Sequence, residues 1–126
     1  MKYLISFLIF LFPQVTYSQQ TIHTQDIDNF WIAYDSIRST TDKEQQINFI
    51  NRFYIDKASD GLKAFLNNKS NPANKWLDLI NSDRDFWDSI RPKTLLIKTL
   101  TDNLQISING LRELYPDLKK AATYFI

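Results

Sequence analysis

Large apolar side chains recur at steps of three and four along most of this sequence, and that spacing constrains the fold more than any other feature. Ile27, Phe30, Trp31, Tyr34 and Ile37 place one apolar stripe along a helix. Ile47, Ile50, Phe53 and Tyr54 form the inner face of a second, and Leu62, Phe65 and Leu66 belong to a short third that frays in the polar run Asn67-Asn68-Lys69-Ser70. Trp76, Leu77 and Ile80, then Phe86, Trp87 and Ile90, give two more short helices. The longest stripe is Ile97, Leu100, Leu104, Ile108, Leu111 and Tyr115, interrupted only by Gly110. Two glycines and four prolines are too few for the many turns of an all-β sandwich. The expected fold is all-α, a small bundle of about five to six helices.

Punctuation residues set the expected boundaries. Thr41 followed by Glu44 matches a capping box, and Ser82 with Asp85 repeats that logic. Asn71 is expected to cap the fourth helix, with Pro72 in its first turn, where a missing amide hydrogen costs nothing. Asp60-Gly61 reads as a bend, Arg91-Pro92 as the end of the fifth helix, and Pro116 as the end of the sixth. Residues 121–126, Ala-Ala-Thr-Tyr-Phe-Ile, have the β-branched and aromatic composition of a strand. With no other strand expected, this segment reads as the start of an unpaired β-strand, which is not stable alone.

The first eighteen residues carry an export pattern. Lys2 provides a positive start, residues 3–12 an apolar run, and Pro13 a helix break. Thr16 and Ser18 are small residues before a cut that would leave Gln19 as the new N-terminus. The run is about half the roughly 20 residues of a membrane-spanning helix, so no transmembrane anchor is expected after processing. Residues 1–18 are thus read as a signal peptide and residues 19–126 as one helical domain. The chain has no cysteine, so neither a lipid on such a residue nor a disulfide is available, and packing alone must hold the fold. Nine Phe, six Tyr and three Trp suit that need. Removing Lys2 balances the remaining basic and acidic side chains, and a net charge of zero argues against a nucleic-acid partner.

Candidate chemistry is sparse. The single histidine, His23, cannot make a multi-histidine zinc site and reads as a solvent-exposed residue of a polar lead-in. No serine lies in a G-x-S-x-G elbow, and Gly61 and Gly110 are too isolated for a phosphate loop. The carboxylate pairs Asp26 with Asp28 and Asp83 with Asp85 could serve glycoside hydrolysis, yet both lie where helices begin, and acidic side chains there complement the helix dipole. Trp31, Trp76 and Trp87 could line a peptide groove or stack on a sugar, but each falls on an inward stripe and reads first as core. The sequon Asn68-Lys69-Ser70 reads as a chance match. No catalytic, metal or cofactor-binding residue is assigned from these patterns.

Several segments in order resemble a known family: Ile22-His23-Thr24, Asp26-Ile27-Asp28-Asn29-Phe30-Trp31, Tyr54-Ile55-Asp56-Lys57, Gly61-Leu62-Lys63, Phe86-Trp87, Ile90-Arg91-Pro92 and Leu114-Tyr115-Pro116-Asp117-Leu118. Together they resemble the N-terminal helical half of an exported bacterial family of predicted zinc-dependent proteases, distantly similar to the gliding-motility lipoprotein B group. In that family the helical half precedes an H-E-x-x-H helix, and the resemblance implies zinc for full-length relatives. This chain contains no H-E-x-x-H, so the resemblance transfers no ligand or catalytic residue. It implies a truncated front segment without activity of its own, whose partner would be a C-terminal half or a periplasmic protein; the export pattern and the missing cysteine place it in the periplasm or outside the cell, not lipidated. The alternative expectation is a complete small periplasmic binding module with an aromatic groove.

Overall fold

The computed structural model describes residues 22–126, and the export pattern of residues 1–18 lies outside them. The fold is all-α. Among the described residues six α-helices follow one another: α1 (Gln25–Arg38), α2 (Lys43–Ile50), α3 (Asp60–Leu66), α4 (Pro72–Ser82), α5 (Arg84–Leu95) and α6 (Ile97–Leu114). A π-helical segment, Asn51–Ile55, runs directly on from α2, with the Asp56 amide bonded to the Asn51 carbonyl at 2.8 Å, five residues back. No described helix is long and apolar enough to cross a membrane.

The expectation of an unpaired strand is corrected by the structure. Strand β1 (Ile22–His23) lies parallel to β2 (Thr123–Tyr124), in the register Ile22 to Thr123 and His23 to Tyr124. The partner is hidden in the polar lead-in, where two residues are too short to show a strand period. His23 is accordingly half-buried and stacked on Tyr124, rather than exposed.

Two caps move by one residue and one loses its bond. Asp42, not Thr41, opens α2, its carboxylate accepting the Glu44 and Gln45 amides. Asp83, not Ser82, opens α5, accepting the Phe86 amide at 2.9 Å. A carboxylate carries full charge toward the positive end of the helix, which favours it over a neighbouring hydroxyl. Asn71 precedes α4 in the left-handed region, φ 49°, and makes no side-chain cap bond; asparagine tolerates that backbone, and Pro72 sets the first turn.

Pro92 does not end a helix; it sits inside α5, and the break falls at Leu96. The chain is held helical across Pro92 because both sides are tied to α1. Arg91 donates two 2.7 Å bonds to Asp35, and the Thr94 hydroxyl accepts the Trp31 indole N–H at 2.9 Å. One turn earlier, Arg38 and the Tyr34 hydroxyl both donate to Asp88. The carboxylate of Asp88 is held below its usual range, chiefly by the Tyr34 hydrogen bond and then by Arg38. Burial and the same bond raise the Tyr34 hydroxyl.

The core lies where α1, α2, the π segment, α3 and α4 meet: Tyr34, Ile37, Ile50, Tyr54, Leu62, Leu77 and Ile80 are its most enclosed apolar side chains. Helix α6 contributes none of the fully buried residues and keeps Leu100, Leu111 and Leu114 exposed.

Candidate aromatic pocket

Helix periodicity assembles a second layer of aromatic side chains beside this core. From α1, Ile27, Phe30 and Trp31 project at i, i+3 and i+4; from α5, Trp87, Ile90 and Thr94 do so at i, i+3 and i+7. The π segment supplies Tyr54, α4 supplies Trp76, and Ile126 closes one side. These residues surround an open pocket of about 220 Å³.

Phe30 is the hub of the aromatic cluster. Its ring lies 5.0 Å from Trp31, 5.2 Å from Trp87, and 5.5 Å from both Tyr54 and Trp76. The Trp31 and Tyr54 contacts are edge-on, at 77° and 73°, the arrangement that ring quadrupoles favour. Tyr54 meets Trp76 edge-on as well, at 83°. The walls are therefore braced against one another rather than collapsed into the opening.

Two polar groups of the pocket wall stay uncommitted. The Trp31 indole is engaged with Thr94, and the Trp87 indole donates to the Leu79 carbonyl at 3.1 Å. The Tyr54 hydroxyl and the Trp76 indole N–H make no hydrogen bond among the described residues, although Tyr54 is only 1% exposed. Burial raises the Tyr54 hydroxyl far above the ordinary tyrosine range, with the Asp26 charge adding to it, so it stays a neutral donor. Neither group is among the enclosed unpartnered atoms, so both reach solvent and can donate to a ligand's acceptor in place of water.

All three tryptophans of the chain line this one pocket. Trp31 is buried as core, while Trp76 and Trp87 are half-buried, the outcome that gives them a face for a ligand. Trp76 also borders a second hollow of about 190 Å³ with Phe65, Leu66 and Leu79. Three of the four paired carboxylates of the sequence have separate structural tasks. Asp26 is buried and accepts from Ser59, Asp28 pairs with Lys98 at 2.6 Å, and Asp83 caps α5. Among the described residues no three His, Asp or Glu side chains gather as a metal site would require.

Sequence reasoning did not anticipate Tyr54 as a pocket residue, Ser59 as the cap of α3, or the seat at Gly61. Ser59 lies three residues before Leu62, whose amide its hydroxyl accepts, and that spacing was the available signal. At Gly61 a Cβ would stand 2.3 Å from Tyr124 Cγ, so the missing side chain is what lets the Tyr124 ring settle there. Comparisons with protein-family models, with curated proteins and with solved structures return no match.

Proposed function

We propose that this chain is an exported, non-catalytic binding module whose aromatic pocket takes one apolar side chain of a partner. The observation that carries this reading is the pocket itself: five aromatic walls, an opening, and two unspent donors at Tyr54 and Trp76. An apolar cavity of roughly 150 Å³ accommodates benzene, and drug-sized ligands need roughly 300 Å³ or more. A pocket of about 220 Å³ therefore suits a single ring or branched side chain with an adjoining carbonyl. Burying such a side chain supplies about 1.5–3 kcal/mol, too little alone for stable complex formation, so further contacts along the partner backbone belong to the same reading.

Because every tryptophan lines the pocket, intrinsic fluorescence reports its occupancy directly. Titration with N-acetylisoleucine amide is expected to shift the emission saturably, while N-acetylserine amide leaves it unchanged. Identical responses to both would remove the pocket from the account.

A second reading keeps the helical unit as the front of a larger zinc-peptidase-like protein. It is supported by α6, where Leu100, Leu111 and Leu114 present apolar surface that more protein would cover. Translation of the DNA beyond the last codon, in all three frames, tests it: an H-E-x-x-H helix supports the reading, and none within a few hundred residues removes it.

A further inference from the structure

Residues 123–126 lie on the fold as a bound peptide would. Thr123 and Tyr124 pair in parallel with β1, and the Phe125 amide donates to the His23 carbonyl at 2.9 Å. Alternate residues of an extended chain point to the same side, and here Tyr124 is seated while Ile126, half-exposed, borders the aromatic pocket. The Tyr124 ring stacks on His23, with centroids 4.5 Å apart and planes 6° from parallel, and fills the space left by the absent Gly61 side chain. Ile126, two positions on, lies at the wall of the aromatic pocket. Main-chain pairing with pockets for alternate side chains is the logic by which an added strand is recognised.

The energetic balance favours exchange. A two-residue strand pair is marginal by itself and Ile126 stays 47% exposed, so what holds residues 123–126 is chiefly the seat of Tyr124 on His23 and Gly61, and a second peptide with an aromatic residue there meets the same seat. We propose that residues 123–126 occupy in cis part of a recognition site for an extended peptide, Tyr124 taking the aromatic seat on His23 and Gly61 while the pocket beside Ile126 stays open; the peptide adds in parallel beside β1 with an aromatic residue on that seat and a branched aliphatic residue, two positions later, in the pocket. This rests on the pocket reading above and names its ligand class. The internal segment acts as a tethered competitor, and tethering of this kind gives an effective concentration near the millimolar range.

The test uses the full chain and a fluorescein-labelled peptide of sequence Ala-Thr-Tyr-Phe-Ile, followed by anisotropy. A Tyr124→Ser, Ile126→Ser double variant, which withdraws the competitor and leaves every receptor residue except Ile126 intact, is expected to bind at least tenfold tighter than the wild type. A scrambled peptide is expected not to bind. Adding Gly61→Val to the double variant is expected to abolish peptide binding while N-acetylisoleucine amide still shifts the tryptophan emission. Equal affinity for wild type and double variant, or equal binding of the scrambled peptide, overturns the proposal.

Should the double variant lack a cooperative melt, the wild type decides: saturating peptide is expected to speed hydrogen exchange at the Phe125 amide, and unchanged exchange overturns the proposal. Loss of the isoleucine response together with peptide binding sinks the pocket reading, whereas peptide failure with that response intact sinks only strand recognition. A concentration-dependent dimer that disappears in the double variant gives the site to a second copy and overturns the assignment to a separate peptide.

Discussion

The carboxylate of Asp26, in the first turn of α1, accepts both the backbone amide and the hydroxyl of Ser59, thirty-three positions along the chain. The hydrogen bond from the Ser59 amide is 2.9 Å long, and both residues are buried. Ser59 Oγ in turn accepts the Leu62 amide at 3.2 Å, so one carboxylate fixes the start of α3 against the start of α1. That junction holds Gly61 and Leu62 in place beside Tyr124 and the core.

Removing it should be costly. Asp26→Ala leaves the Ser59 amide buried without an acceptor, and the expected loss is about 2–3 kcal/mol, roughly 10 °C in the thermal midpoint. Ser59→Ala, which removes the cap hydroxyl but keeps the amide bond, should lose about 1 kcal/mol. Thermal melts followed by circular dichroism separate the two; an Asp26→Ala midpoint within 2 °C of wild type contradicts this role.

Alkaline pH should unfold the protein through Tyr54. Its folded-state value is raised above the unfolded value near 10, so the stabilisation is fully present below about pH 10 and is lost as pH rises toward the folded value. Between pH 9 and 11.5 the melting temperature of the wild type should fall more steeply than that of Tyr54→Phe. Parallel slopes would show that Tyr54 ionises freely in the folded chain.

Acid acts through Asp88 with the opposite sign. Its folded-state value lies below the unfolded one, so its contribution is present above about pH 4 and disappears as pH falls below that. Asp88→Asn should flatten the loss of stability between pH 5 and 2.5. Because the largest cause is the Tyr34 hydrogen bond rather than the partly exposed Arg38 pair, 0.5 M salt should leave much of the difference intact. A difference erased by salt would assign it to the ion pair instead.

Gly61→Ala separates local from global stability. Alanine improves helix propensity at this second position of α3 by up to about 1 kcal/mol, yet its Cβ collides with the Tyr124 ring. The expected outcome is a global midpoint changed by less than about 1 kcal/mol, with faster exchange at the Phe125 amide as β2 is pushed from β1. Unchanged exchange would show that Tyr124 does not depend on the Gly61 seat.

Six helices were legible in the sequence because their apolar spacing is long and regular, as in Ile27 to Ile37 and Ile97 to Tyr115. Pro92 misled because the bonds from Arg91 to Asp35 and from Trp31 to Thr94 override a local breaker, and such long-range ties leave no trace in a single window. The strand partner of residues 123–124 was invisible because β1 is two residues long and lies a hundred positions away. The tryptophans were correctly placed on inward stripes, but periodicity cannot tell a filled core from a core edge that stays open. That distinction depends on how Trp76, Trp87 and Tyr54 from three separate segments meet around Phe30.

The central claim is that the space around Phe30 is a ligand pocket, and the most direct measurement is the ¹⁵N–¹H spectrum of the three indole groups during titration with N-acetylisoleucine amide. The Trp76 indole N–H, which has no partner among the described residues, should move most and saturably, with Trp87 following and Trp31, bonded to Thr94, moving least. Three unmoved indole signals at saturating probe, or equal shifts with N-acetylserine amide, would contradict the account.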